Sequence, residues 1–163
     1  MAQETYRPEQ TISVLTHRTG VGDANIAGNV HGGHLMKLCD DAAAIAGTRL
    51  AGGRVVTAAV DGMRFRSPVH VGDVITLRST VNAVWRTSME VGVRVDSEDI
   101  RRGETRHTLT AYFTMVALDA DEKALPLPPL SPATEVDERR HREACLRREV
   151  RLAKPGELRR TTD

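Results

Sequence analysis

A glycine pair followed by a carboxylate is the part of this sequence whose residue types and spacing could support chemistry. Gly32 and Gly33 directly precede a helical pattern that begins at His34, and Asp40 lies about two turns into it. Backbone N–H groups at a helix entrance lack intrahelical partners, so an oxyanion could bind there. A nearby carboxylate could take a proton from water. The combination suits attack of water on an acyl group, although most Gly-Gly turns serve only as turns.

The helical phase places Asp40 and its neighbour Asp41 on different sides of the predicted helix. At 100° per residue, Asp41 shares a polar sector with Lys37 and Thr48, which predicts a surface carboxylate. Asp40 lies on a strip of small and apolar residues, Met36, Ala43, Ala44 and Gly47. This strip indicates a partly shielded proton acceptor close to a second backbone or a ligand; simple pairing at a subunit contact stays open. The sector expected to face a sheet contains Leu35, Leu38, Ala42, Ile45 and Ala46.

Hydrophobic periodicity predicts the elements that position these residues. The helix is expected to end near Leu50, because Ala51-Gly52-Gly53 supplies a stop. Alternating apolar and polar residues indicate long antiparallel strands with one wet face. The predicted strands cover residues 11–16, 54–60, 74–84, 89–96 and 105–118. One helix followed by long strands predicts an α+β fold with the sheet wrapped on the helix.

The chain is expected to form one domain over residues 10–130. Prolines at positions 126, 128, 129 and 132 then break the chain. A charge-dense helix is predicted within residues 131–153, and residues 154–163 are expected to form a disordered tail. Because glutamates interleave with the arginines of this helix and no stacking aromatics accompany them, we interpret it as solvated or packed on a neighbour rather than as a nucleic-acid site.

Composition narrows the function classes. Lys+Arg 23 against Asp+Glu 22 gives a formal net charge of +1, so no strong field favours nucleic acid or anionic membranes. Residues 1–10 lack the apolar core of a signal peptide, and no apolar run is long enough to span a bilayer. Cys39 and Cys145 are the two cysteines, which fits a reducing compartment. We expect a soluble cytoplasmic protein that binds neither nucleic acid nor membrane.

The segment from Asp23 to Asp41, DANIAGNVHGGHLMKLCDD, closely resembles the hotdog-fold cytosolic acyl-CoA thioester hydrolases. That family includes the brain acyl-CoA hydrolases and single-domain bacterial relatives. Later segments at residues 55–65, 67–73 and 88–91 resemble the same family in the same order, so the resemblance covers residues 10–150. It implies the hotdog fold, in which an antiparallel sheet wraps a long central helix.

The resemblance also implies an enzyme that hydrolyses fatty acyl-CoA to free fatty acid and CoA. The family's catalytic aspartate and asparagine match Asp40 and Asn25, which would come from different subunits of a homodimer; single-domain relatives often form hexamers. We expect Asp40 to activate water, Asn25 to orient water or substrate, and the Gly33 amide to hold the thioester oxygen. Direct attack by Asp40, giving a mixed anhydride, stays open.

Candidate contacts for the CoA moiety are less specific. The residues expected to bind substrate are His31, Gly32, Arg64, Arg66, Arg86, Thr87 and Ser88. Guanidinium groups match phosphate oxygens, but arginines in such positions are more often ordinary surface residues, and we rank Arg86 with Thr87 and Ser88 first. His31 and His34 with Asp40 could suggest a metal site; no further Cys/His cluster completes the ligand set, so we expect no metal and no cofactor.

Two other functions remain open at this stage. One is a hotdog dehydratase acting on hydroxyacyl thioesters, although such proteins usually pair a catalytic histidine with an acid on the helix. The second is a non-enzymatic acyl-CoA sensor that controls a DNA-binding module, although the roughly ten residues before the first strand are too few for a helix-turn-helix domain.

Overall fold

The computed structural model describes residues 5–153, so the tail predicted at residues 154–163 lies outside the described residues. The two helices are α1 (Gly32–Ala51) and α2 (Glu135–Ala153). The strands are β1 (Ser13–Arg18), β2 (Val55–Phe65), β3 (Val74–Val84), β4 (Ser88–Asp99) and β5 (Glu104–Ala117). They form one antiparallel sheet in the order β1-β3-β4-β5-β2, which leaves β1 and β2 at its edges.

Helix α1 packs on one face of the sheet and contacts all five strands. Small side chains on its buried face allow a close approach: a Cβ added at Gly47 would lie 3.3 Å from the sulfur of Met115 and 3.4 Å from that of Met89. These side chains form part of the apolar core between α1 and the sheet. The predicted α+β architecture, with a long helix wrapped by an antiparallel sheet, is confirmed.

The buried face of α1 differs from the predicted one. Ile45 was expected to face the sheet but is 36% exposed, and Leu38 is only half-buried. The side chains that α1 does bury are Leu35, Cys39, Ala42, Ala43, Ala46, Gly47 and Leu50. The predicted sector was centred on the larger side chains, whereas close helix–sheet packing buries the small ones and places Ile45 on the flank.

Several element boundaries also differ from the predicted ones. Strand β2 continues to Phe65, past the expected end at residue 60. Its pairing with β5 shifts register after Thr57 and again after Val60. Each bulge sets an extra residue in the strand and interrupts the period of two on which the prediction rested. Helix α1 starts two residues earlier than predicted, at Gly32. The first strand starts two residues later, after a 3-10 turn at Pro8–Thr11.

Helix α2 covers the opposite face of the sheet. Met89 packs towards α1, so Glu90, the next residue on β4, faces the other side. Glu90 is fully buried and accepts two hydrogen bonds from the Arg147 guanidinium, at 2.9 and 2.8 Å. The same guanidinium lies 3.6 Å from the ring centroid of Tyr112. The mixed-charge helix is therefore packed on the sheet, which is one of the two alternatives that the sequence left open.

Neither of the two helices within residues 5–153 is both long and apolar enough to cross a membrane.

Candidate active site

The loop that precedes α1 is held closed by its own backbone. Asn25 N–H donates to the Asn29 carbonyl at 2.7 Å, and Gly28 N–H donates to the Asn25 carbonyl at 3.0 Å. Gly28 has a φ of 80°, which glycine adopts without a steric penalty. Ala24 and Val30 pair on either side of this turn. The loop is therefore a defined turn that places Asn25 beside the helix entrance.

The side chain of Asn25 uses its oxygen inside the loop. Oδ1 accepts hydrogen bonds from the backbone N–H groups of Ala27 at 2.9 Å and of Asn29 at 3.2 Å. This is the local side-chain capping that favours asparagine in turns. Nδ2 has no hydrogen-bond partner among residues 5–153. The amide is thus fixed in orientation, with its two N–H donors available to a ligand.

The helix entrance is capped by a histidine. His31 stands at the N-cap, and its Nδ1 accepts a hydrogen bond from Gly33 N–H at 2.9 Å. A Cβ at position 33 would lie 3.0 Å from two atoms of this ring, so a side chain there would crowd the capping imidazole. The Gly33 amide is consequently not a free donor in this structure, in contrast to the expectation from sequence. Histidine is not a usual N-cap residue, and the sequence pattern did not reveal the interaction.

Asp40 and Asp41 have different environments. Asp40 is half-buried, and its Oδ1 accepts a hydrogen bond from Thr57 Oγ1 at 2.5 Å. Asp41 is exposed and pairs with Lys37 at 2.8 Å, as the surface interpretation predicted. Helical phase therefore distinguished the two carboxylates correctly.

Thr57 is a site residue that the sequence interpretation missed. It lies on edge strand β2, immediately before the first register shift, and bulges of this kind are common next to active sites. Its segment was part of the resemblance at residues 55–65, but a single hydroxyl on a strand has no periodic signal. Only the packing of β2 beside α1 shows that it reaches Asp40.

The buried thiol beside Asp40 is not a nucleophile. Cys39 is fully buried, and burial, together with the charge of Asp40, raises the pKa of its thiol to about 12. A thiol of this kind stays protonated near neutral pH, and the thiolate is the reactive form. The Cys39 thiol is therefore unsuited to nucleophilic attack near neutral pH.

The candidate CoA contacts lie at two ends of the sheet. Arg64 and Arg66 are exposed at the end of β2, where the Phe65 ring lies 3.6 Å from the Cβ position of Gly32 at the helix entrance. The second group is the β3–β4 turn of Arg86, Thr87 and Ser88. That turn adjoins the other end of β2, since Met89 pairs with Met115, which pairs with Thr57. One chain does not bring the two groups together.

The two histidines and the carboxylate that could have suggested a metal site from sequence, His31, His34 and Asp40, do not converge. His31 caps Gly33, Asp40 bonds to Thr57, and His34 instead faces Asp23, with its Nε2 3.3 Å from Oδ1.

Known proteins resemble this chain in sequence and in fold. Residues 27–104 match the Thioesterase superfamily. Protein VdlD of Helicobacter pylori is 43% identical over 128 residues, which cover 78% of this chain and 73% of VdlD. The structure of an apo-hexameric acyl-CoA thioesterase aligns with a TM-score of 0.91 and 34% identity, covering 94% of this chain and 99% of the other.

An acyl-CoA hydrolase from Staphylococcus aureus, solved with butyryl coenzyme A and coenzyme A, has a TM-score of 0.89 and 28% identity, covering 97% of this chain and 96% of its own. It was also solved as alanine variants of an asparagine, an aspartate and a threonine that lie 15 and 17 residues apart in its sequence. Asn25, Asp40 and Thr57 have the same two spacings. Sequence, fold and site geometry agree, and the chain therefore belongs to the hotdog-fold acyl-CoA thioester hydrolases.

Proposed function

We propose that this protein hydrolyses acyl-CoA thioesters to a carboxylic acid and free CoA. The observation that carries the proposal is the 2.5 Å hydrogen bond from Thr57 to Asp40, which fixes one carboxylate on the flank of α1. Asn25 lies in the loop at the entrance of the same helix. A positioned base and a positioned amide are the groups that a water-dependent acyl transfer needs.

In the proposed reaction, Asp40 acts as general base. Thr57 occupies Oδ1, which leaves Oδ2 to take a proton from water as the water oxygen bonds to the thioester carbonyl carbon. The tetrahedral intermediate then collapses with cleavage of the C–S bond. Because a thiol has a pKa near ~8.5, CoA can leave as a thiolate with little help from a general acid.

The thioester oxygen requires a donor, and Gly33 N–H is the proposed one. It now donates to His31 Nδ1, so the substrate oxygen would replace the imidazole as acceptor. The exchange costs little in hydrogen bonds, and the donor remains at the positive end of the helix dipole. Gly32, which precedes it, leaves room for the acyl group. His31 would then line the substrate pocket.

A second copy of the chain is proposed to complete the site. Edge strand β2 has unpaired backbone groups along one side, and its Val60 and Phe65 side chains are 45% and 48% exposed. Met36, one turn before Asp40, is 46% exposed on the same flank of α1. A homodimer would cover these surfaces and bring Asn25 of one copy to Asp40 of the other. The hexameric state of a related thioesterase supports further association into a hexamer.

For the CoA phosphates, we propose the turn of Arg86, Thr87 and Ser88, because it lies at the same end of the sheet as Thr57. Arg64 and Arg66 would serve the same ligand only from the neighbouring copy. We also propose a cytoplasmic location, since Cys39 and Cys145 are both free thiols.

The direct test is release of free thiol from acyl-CoAs of increasing chain length, with product analysis. We expect carboxylic acid and CoA in equal amounts from at least part of the series. A double-bond product from 3-hydroxyacyl-CoA would instead indicate a dehydratase, and binding without thiol release would indicate a sensor. In a single turnover in ¹⁸O-labelled water, direct water attack puts the label in the acid, whereas an anhydride route can put it in Asp40.

The shared site has its own test. Asn25→Ala and Asp40→Asn variants, each inactive alone, are unfolded together and refolded. Random pairing makes half of the dimers mixed, and one of the two sites in each mixed dimer would have both native residues. We expect recovery of about a quarter of native activity, whereas no recovery would place both residues of a site in one chain.

A further inference from the structure

Two imidazoles and one carboxylate meet beside the start of α1, and the proposed reaction uses none of them. They belong to His17 on β1, Asp23 in the following loop and His34 in the first turn of α1. His17 Nε2 lies 3.0 Å from Oδ2 of Asp23, and His34 Nε2 lies 3.3 Å from Oδ1. One donor atom from each residue lies within 4.8 Å of the other two.

Ordinary hydrogen bonding does not account for the whole cluster. The Nε2 atom of His34 is buried, yet it makes no hydrogen bond within residues 5–153 although it faces the carboxylate. Asp23 is also preorganised, because Gly20 N–H donates to its Oδ2 at 2.8 Å. This bond, and the one from His17, hold the pKa of Asp23 below its usual range. A charged carboxylate therefore lies between two ring nitrogens, and one of these nitrogens, His34 Nε2, makes no hydrogen bond within residues 5–153.

We propose that His17, Asp23 and His34 bind a divalent transition-metal ion of the zinc type. Imidazole and carboxylate together suit Zn²⁺, whereas Mg²⁺ and Ca²⁺ prefer oxygen donors alone. Around tetrahedral zinc with ligands at about 2.0–2.1 Å, adjacent donor atoms lie about 3.3 Å apart. His17 Nε2 lies 3.0 Å from one oxygen of the Asp23 carboxylate and His34 Nε2 lies 3.3 Å from the other, so each nitrogen is near that distance from the carboxylate. The three donor atoms lie within 4.8 Å of one another, so small side-chain shifts would bring them around one ion. His17 is 34% exposed, which leaves water access to a fourth position.

Such an ion would connect three segments that are separate in sequence: edge strand β1, the loop and helix α1. The carbonyl of Asp23 also accepts a hydrogen bond from His31 N–H at 2.7 Å. Binding at the side chain of Asp23 would therefore stabilise the start of the helix. This role is structural, and metal binding can be measured without thioester hydrolysis.

The test uses the full chain, freed of metal with a chelator, and Zn²⁺ titrated in competition with a chromophoric indicator. We expect one ion per chain and a rise in the thermal midpoint on binding. His17→Gln and His34→Gln should each weaken binding by at least about tenfold. His70→Gln is the matched control, because its imidazole lies 3.8 Å from the Asp73 carboxylate without a second imidazole. It should bind as the native chain does.

Co²⁺ provides a second readout, since visible absorption typical of a four-coordinate ion reports the ligand geometry. We expect this band in the native chain and in His70→Gln, and its loss in the other two variants. Absence of stoichiometric Zn²⁺ binding would overturn the proposal. So would affinity that survives either of the His17 and His34 substitutions in a folded variant, as judged by circular dichroism.

Discussion

The two faces of the sheet are covered by helices of opposite character. Helix α1 buries small apolar residues, and its charged Asp40 lies at the flank. Helix α2 buries Ala144 and otherwise attaches through cations: Arg147 to Glu90, Arg151 to Asp61 at 3.0 Å, and Arg148 at 4.6 Å from the Trp85 ring. The two helices therefore contribute in different ways. Close apolar packing positions the Asp40 carboxylate on one face, while charged contacts on the other face attach α2 to the sheet.

The largest expected difference between the two faces is the reactivity of their cysteines towards a thiol reagent. Cys39 is buried on α1, and this burial raises the pKa of its thiol to about 12. The thiol therefore stays almost entirely protonated at pH 8. Cys145 is partly exposed on α2. We expect a thiol reagent to label at most one site per native chain, and both sites in denaturant. Cys145→Ser should abolish the native labelling and Cys39→Ser should not; fast native labelling of Cys39 would contradict its buried position.

Removing the Arg147 guanidinium should cause the largest loss of stability. Arg147→Met leaves Glu90 buried without its charged partner, which costs about 3 kcal/mol of unfolding free energy. Urea unfolding measures the loss. Arg139→Met is the control, because the Arg139–Glu143 pair is exposed and should change stability by less than about 0.5 kcal/mol. Equal effects of the two substitutions would show that α2 does not depend on its buried pair.

On the α1 face, Thr57 should affect turnover rather than folding. Thr57→Val removes the hydrogen bond that orients Asp40, and we expect kcat for acyl-CoA hydrolysis to fall about tenfold with little change in KM. Thr57→Ser, which keeps the hydroxyl, should recover most of the rate. A valine variant with native kcat would mean that the contact does not position the base.

The smallest predicted effect concerns pH. Because the pKa of Asp23 is lowered on folding, its ionisation adds stability above the unfolded-state value of about 3.9, and this contribution is lost as pH falls towards the folded value. In metal-free buffer, Asp23→Asn should therefore lower the urea midpoint by a constant amount from pH 7 to about pH 5. The difference should narrow below about pH 4. If the difference between the two urea midpoints instead grew as the pH fell below about 4, the pKa of Asp23 would be raised on folding and not lowered.

Sequence periodicity predicted the order of the elements and the choice of Asp40 over Asp41, because both depend on local geometry. It failed where tertiary contacts decide. The bulges in β2 are invisible to a period of two, so the reach of Thr57 to Asp40 was missed. Small residues on α1 face the sheet because the backbones are close, and hydrophobicity alone assigned Ile45 there instead.

Sequence patterns also did not predict the polar contacts between residues that are distant in the chain. Asp61, for example, accepts a hydrogen bond from Thr114 at 2.7 Å and pairs with Arg151 on α2. The histidine cap on Gly33 and the approach of His17 to Asp23 depend on loop conformation, which residue spacing does not specify.

The most direct test of the account compares turnover of Asp40→Asn with that of Asp41→Asn, its neighbour on the same helix. Both variants should keep the native oligomeric state and melting temperature. Asp40→Asn should lower kcat for acyl-CoA hydrolysis by about 10²–10⁴-fold, the usual contribution of a general base, and Asp41→Asn should keep it within about twofold. Near-native turnover by a correctly assembled Asp40→Asn protein would contradict the account.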